Sequence, residues 1–475
     1  MPDAVSAEVM NDAGHRITTL DSGVRVVSEP LPAVRSVALG FWIGAGSAHE
    51  HDGEAGISHL LEHMLFRGSE RYGSEEIDQI FDAMGAELNA GTDKEATSVY
   101  SRVLDRHLER AFDVIADMVW RPLMGELEAE REVVLEEIAM YEDDPQDRVF
   151  DVLGEAVFGA HPLGRAVIGR AEVVGSVTRE QLRAFHATHY TPSEVVIAAA
   201  GSVEHDALVE MARAAEAGSG VPARGDVDPV GTPGEPGAGR GADDPGNGAG
   251  RIGGAAAPVE ARVDGAGGLG DEPLFQRRVR FLRKDTEQYH LCLGGRGMAR
   301  EDERRFALRV LDTILGGGAS SRLFQEVRER RGLAYSVFSF SNLYAHAGEV
   351  GLYVGTRPEN LTEAVAVLAA ELERFAREPA DAQELERSRE NAKGRMVLAM
   401  ESTAARMNRL GSSVLCDLPI LSVEEVIARI DAVTMDDLRE LAAELFRGSE
   451  LSVAAIGPDE QALHAALAPL EAVAA

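Results

Sequence analysis

The sequence predicts an α+β chain of two similar domains, each a mostly antiparallel sheet flanked by helices, joined by a flexible Gly/Pro-rich linker. Three observations carry this expectation. Residues 218–273 hold 17 Gly and 7 Pro and no aromatic residue, too little apolar surface to offset the entropy lost on ordering. That stretch divides the 475 residues into 1–217 and 274–475, each long enough to bury a core of its own. The two parts then open in the same order, with two apolar runs followed by a helical segment, as a duplicated chain would.

In the first part, residues 24–27 and 36–43 are short apolar runs that read as strands ahead of a helix over 55–66. In the second, 279–282 and 289–293 play the same parts ahead of 303–315. Later strand-like runs at 195–200 and 451–456 end at matching glycines, Gly201 and Gly457. Glu/Arg-rich stretches at 126–141, 361–377 and 381–398 have the spacing of amphipathic helices.

Composition narrows the function. With 47 Lys and Arg against 80 Asp and Glu, the formal net charge is −33, which argues against a nucleic-acid surface or docking on anionic lipid. An acidic solvated surface is its commonest meaning, with steering of basic peptides the sharper alternative. Cys292 and Cys416 are too far apart in sequence for a Cys-x-x-Cys site, and two cysteines make no disulfide framework. The polar start, with Asp3, Glu8 and Asp12, is unlike a secretory signal, and no apolar run reaches the roughly 20 residues of a membrane span. A cytoplasmic chain with no nucleic-acid or membrane partner is expected. The run Gly316-Gly317-Gly318 lacks a following Gly-Lys-Ser/Thr and so is no phosphate loop. His161, His186 and His189 lack ligand partners at helical spacing and read as structural.

Chemistry concentrates at 55–66. Ile57, Leu60, Leu61, Met64 and Leu65 cover most of a helix surface, leaving a polar stripe of His59, Glu62 and His63. Side chains four apart stack on one face, so both imidazoles can address one ion with Glu62 beside them. Two neutral imidazoles suit zinc, and a carboxylate that is not a ligand can act on water at the metal. Two hydrogen-bonded core histidines are the bland alternative, so a third ligand is needed. Along 126–141 the row Leu127, Glu130, Val134, Glu137, Tyr141 puts two carboxylates on an otherwise apolar stripe expected to face the core. Buried carboxylates need a cation; zinc is one candidate, Arg131 or another arginine the other.

His59-Leu60-Leu61-Glu62-His63 has the inverted zinc-protease pattern His-x-x-Glu-His of the inverzincins. Its continuation Met64-Leu65-Phe66-Arg67-Gly68-Ser69, then Leu88-Asn89-Ala90, Glu130-Arg131 through Glu137-Ile138, and His161-Pro162-Leu163-Gly164-Arg165 resemble the pitrilysin family of zinc metallopeptidases. The likeness is strongest to the catalytic β-type subunit of mitochondrial processing peptidase and its bacterial relatives. In the second part, the run from Leu315 through Ser320-Ser321-Arg322 to Phe324, and Arg328 through Leu333-Ala334-Tyr335-Ser336, resemble it too.

The resemblance implies a zinc metalloendopeptidase acting on peptides, which processes or degrades small peptides or targeting segments. The alternative is a non-catalytic regulatory or scaffold subunit of the same fold. It implies one Zn2+ held by His59, His63 and Glu137 in a catalytic domain, 1–217. Glu62 would be the catalytic base. Glu130 would either support Glu137 or His59 or assist the water directly. The domain 274–475 would share the fold without metal and bind substrate through Arg328 and Tyr335. An extended peptide would add as a strand at Asn89 and Ala90, unless these lie on an interior strand with Asn89 in a turn. The family's habit of closing a chamber by pairing implies a homodimer or a heterodimer with a related subunit. The 56-residue insertion is longer than the expected linker, which costs little because loop closure grows only logarithmically with length.

Overall fold

The structure, a computed structural model, describes residues 9–10, 14–219 and 273–472. The linker expected over 218–273 lies outside the described residues except at its two ends. In the first part, β1 (Val9–Met10), β2 (Arg16–Thr19), β3 (Arg25–Pro30), β4 (Ser36–Ile43), β5 (Leu88–Thr92), β6 (Thr97–Leu104) and β7 (Val195–Gly201) form one sheet in the order β1-β2-β3-β7-β4-β6-β5. In the second, β8 (Val279–Arg283), β9 (Tyr289–Arg296), β10 (Ala334–Leu343), β11 (Gly348–Thr356) and β12 (Ser452–Gly457) form another, in the order β10-β11-β9-β12-β8.

Read from its parallel pair, β3-β7-β4-β6-β5 repeats as β8-β12-β9-β11-β10. In both, the first two strands are parallel and the rest antiparallel. The matching glycines have steric reasons. Gly201 has φ +131, and a Cβ there would lie 2.1 Å from Ser36 O; one at Gly457 would lie 2.3 Å from the Tyr289 ring.

Helices α1 (Ile57–Leu65), α2 (Ser74–Met84), α3 (Leu108–Trp120) and α4 (Leu127–Asp143) precede α5 (Pro145–Phe158), which opens with Pro145 at its first turn and Asp144 as cap. The central strands β7 and β12 are buried throughout, which a strand covered on both faces requires. Alternate residues of β7 serve two cores. Val195, Ile197 and Ala199 join α1, α3 and α4, while Val196, Ala198 and Ala200 meet Met407, Leu410 and Val414 of the helix Thr403–Leu415. That helix belongs to the second part of the chain. Reciprocally, α5 of the first part lays Val149, Val152, Leu153 and Val157 on Cys292, Tyr353, Ala454 and Ile456 of the second sheet. Each part thus supplies a helix to the back of the other's sheet.

Both cysteines are free thiols. Among the described residues no helix is long and apolar enough to cross a membrane.

Candidate metal centre

The first turn of α1 is tied down from outside. The buried Glu50 carboxylate accepts from Gly56 N and Ser58 N, both at 2.9 Å, occupying amides that a helix leaves unpaired. Burial pushes the Glu50 carboxyl up to about 7. Ile57, Leu60, Leu61, Met64 and Leu65 are buried as their spacing requires, so His59, Glu62 and His63 share the remaining stripe.

Glu137 of α4 comes to that stripe. Its Oε1 lies 3.7 Å from His59 Nε2 and its Oε2 lies 3.4 Å from His63 Nε2. The two imidazoles stand edge to face, with ring centroids 4.7 Å apart. One ligand atom from each of His59, His63 and Glu137 falls within 4.8 Å of the others. Burial, followed by the neighbouring His63, pushes His59 down to about 4, so its ring is neutral near pH 7 with a lone pair to give. Metal binding requires that state. The donor set fits zinc: two imidazoles and one carboxylate.

Glu62 stands outside the trio. Thr92, the last residue of β5, donates to its Oε2 at 2.6 Å. Burial raises the Glu62 carboxyl above the ordinary carboxylate range, and the Thr92 bond offsets part of that rise.

Two expectations about α4 need correction. Its buried face is Leu127, Glu130, Val134 and Ile138, so the row drifts to Ile138 where the sequence reading continued through Glu137 and Tyr141. Only Glu130 is buried, at 4% side-chain exposure; Glu137 is 46% exposed and faces the imidazoles. Nor does Glu130 hold Glu137 or His59. Its Oε1 accepts from His63 Nδ1 at 2.8 Å, and its charge is answered by Arg67 Nε. Arg131 donates to Val177 O instead.

Asn89 and Ala90 lie on β5, whose one neighbour among the described residues is β6, and Asn89 pairs with Tyr100. Among the described residues the strand is therefore an edge, and Asn89 lies within the strand rather than in a turn. Arg328 lies in a π-helical turn, Phe324–Glu329, a deformation common at functional sites. Its guanidinium sits 4.4 Å from the Tyr335 ring centroid, and its Nη1 donates to Tyr335 O at 3.1 Å. Tyr335 falls at a break in register near the start of β10, between Ala334 and Ser336, and is 77% exposed. Among the described residues Arg328 meets Phe324, Glu329 and Tyr335, which lie outside the His59 group.

His161 Nδ1 accepts from Leu163 N at 3.2 Å, and His186 Nε2 meets Val119 O at 2.8 Å, contacts of the kind a structural histidine makes. Sequence reasoning missed Thr92, Arg67 and Glu50. Arg67 had a signal, lying four residues beyond His63 on the same row; Thr92 and Glu50 had none.

The repeated fold, with an inverted His-x-x-Glu-His helix and a facing glutamate in one copy only among the described residues, defines the class: a two-domain chain of the inverted zinc-peptidase type. Residues 25–171 match the model of insulinase (peptidase family M16), and 176–392 match the peptidase M16 inactive domain. The chain belongs to peptidase family M16, a family of zinc proteases, and the whole His59 group falls in the first match.

It is 42% identical to an uncharacterized zinc protease of Streptomyces coelicolor, over 95% of this chain and 92% of that one. It is 37% identical to one of Bacillus subtilis, over 93% and 97%. A crystal structure of a peptidase M16 inactive domain from Pseudomonas fluorescens shares the fold at TM-score 0.76 and 21% identity, covering 94% of this chain and 98% of that one. So does a protease from Helicobacter pylori, at 0.77 and 20%, covering 94% and 99%.

Proposed function

We propose that the chain is a zinc-dependent metalloendopeptidase that cleaves extended peptides, with Zn2+ held by His59, His63 and Glu137. The observation that supports this is the convergence of two imidazoles and a carboxylate within 4.8 Å, with a further carboxylate, Glu62, beside them. When bound, zinc supplies Lewis acidity, polarising the scissile carbonyl and making water acidic enough to attack near neutral pH. Glu62 takes the proton from the attacking water and returns it to the leaving amine. Its raised carboxyl pKa brings it nearer the working pH of such a base. Glu130 orients His63 as a ligand.

The free edge of β5 offers Asn89 and Ala90 as a backbone template for the peptide, which accounts for tolerance of varied sequences. Arg328 and Tyr335 contact the peptide from the other domain, so cleavage needs the two domains to enclose it. Small peptides or targeting segments are the substrate class, and the working form is a dimer in the cytoplasm.

The test is cleavage of unstructured peptides by the purified chain, abolished by a chelator and restored by added zinc. A chain that binds zinc but leaves every peptide intact, alone and with a related subunit, would be a non-catalytic member of the fold instead.

A further inference from the structure

The Glu130 carboxylate is almost wholly removed from water and both of its oxygens are spent, Oε1 on His63 Nδ1 at 2.8 Å and Oε2 on Arg67 Nε. A carboxylate accepts and never donates when ionised, so the hydrogen of the first bond is carried by His63 Nδ1. In the tautomer that can bind a metal, this leaves His63 Nε2, the atom facing Glu137 at 3.4 Å, as the nitrogen with a lone pair to give. Ring orientation and tautomer of His63 are therefore set by where the Glu130 carboxylate sits.

Glu130 cannot be held there by His63 alone. A buried carboxylate is costly without a full countercharge, and an imidazole that is to offer a lone pair to a metal carries no charge to supply one. Arg67 does. It lies just past the end of α1, where its amide donates to Met64 O at 3.2 Å, in the same i, i+4 row as His59 and His63. The arrangement is one-sided, because His59 Nδ1 is buried without a hydrogen-bond partner among the described residues. Outside support of the imidazole pair thus reaches it through His63.

We propose that Arg67 is a positioning residue for this site: it fixes Glu130, and Glu130 fixes His63 in the tautomer and orientation that present Nε2 to a metal. The inference rests on the metal-binding reading above and adds to it the residue that holds the ligand's support in place. Arg67 is 36% exposed, so replacing it opens no large cavity.

The experiment is zinc affinity, measured by chelator competition on the full chain, for wild type, Arg67→Met, Arg67→Lys, Glu130→Gln and the Arg67→Met/Glu130→Gln double variant. Loss of such a supporting contact weakens metal binding by about 10- to 100-fold. Arg67→Met should fall in that range, Arg67→Lys should recover most of the loss, and the double variant should bind no more weakly than Glu130→Gln alone. Side-chain nitrogen NMR of the metal-free chain should show His63 protonated at Nδ1 in wild type and as a tautomer mixture in Arg67→Met. Wild-type zinc affinity in Arg67→Met, or losses that add in the double variant, would overturn the proposal. If Arg67→Met does not fold, Arg67→Lys decides: an affinity far below wild type, with the His63 tautomer unchanged, would also overturn it. A wild-type chain that binds no zinc would sink the metal centre itself, a result distinct from these.

Discussion

Thr92 ends the edge strand on which a peptide is proposed to lie, and it also donates to the carboxylate proposed as the base. One hydroxyl therefore links the template to the chemistry. Thr92→Val keeps the shape and removes the bond; a hydrogen bond to a charged group is worth about 1.5–3 kcal/mol. Peptide cleavage by Thr92→Val is expected to fall about 10- to 100-fold in kcat/KM at unchanged zinc content, and Thr92→Ser to retain most activity. Steady-state kinetics beside metal analysis check this. His59, Glu62 and His63 are legible in sequence because helical spacing alone places three polar residues on one stripe. Thr92 is not, because nothing local states which strand end will pass beside a helix.

At the scale of elements, the two exchanged helices carry the argument. The helix Thr403–Leu415 approaches the first sheet so closely that a Cβ at Gly411 would fall 2.0 Å from Trp42 Nε1. Gly411→Ala must therefore push the helix or the indole aside, and overpacking of this kind costs about 1–3 kcal/mol. The loss should appear in urea unfolding, with a change in Trp42 fluorescence. In α5, Leu153 is fully buried against the second sheet at Gly294. Leu153→Ala should cost about 2–5 kcal/mol by leaving a cavity. Strand and helix positions were largely readable: 36–43 and 361–377 match elements to the residue, because apolar periodicity is a local property. The exchange was not readable, since an amphipathic pattern says that a helix has a buried face and not which sheet will cover it. The same limit explains the misplaced stripe on α4, where a one-residue drift separates Glu137 from Ile138.

At the scale of the whole molecule, the boundary between the two domains holds buried charge. Glu349 of β11 is pushed up to about 7 by burial, offset in part by Asn342 and by Lys94 of the other domain. Lys94 is itself pushed down by burial, and its ammonium donates to Arg165 O. A carboxyl raised in the folded state binds its proton between the ordinary value of 4.5 and about 7, where the unfolded chain has already released it. Its contribution to stability is present below 4.5 and is lost as the pH rises through about 7. Glu349→Gln should therefore stabilise the chain at pH 8 by up to about 3 kcal/mol and have little effect near pH 4. Thermal unfolding across that range checks the sign.

The exchange of helices gives the chain two sheets held together from behind, and the His59 group belongs to only one of them. This group is proposed to be a zinc centre whose base is Glu62. The most direct measurement sets wild type beside Glu62→Gln, with zinc content and cleavage of a quenched fluorescent peptide library recorded on both. About one zinc per chain in each, with chelator-sensitive cleavage in wild type alone, is the expected result. Absence of zinc from wild type, or undiminished cleavage by Glu62→Gln, would contradict it.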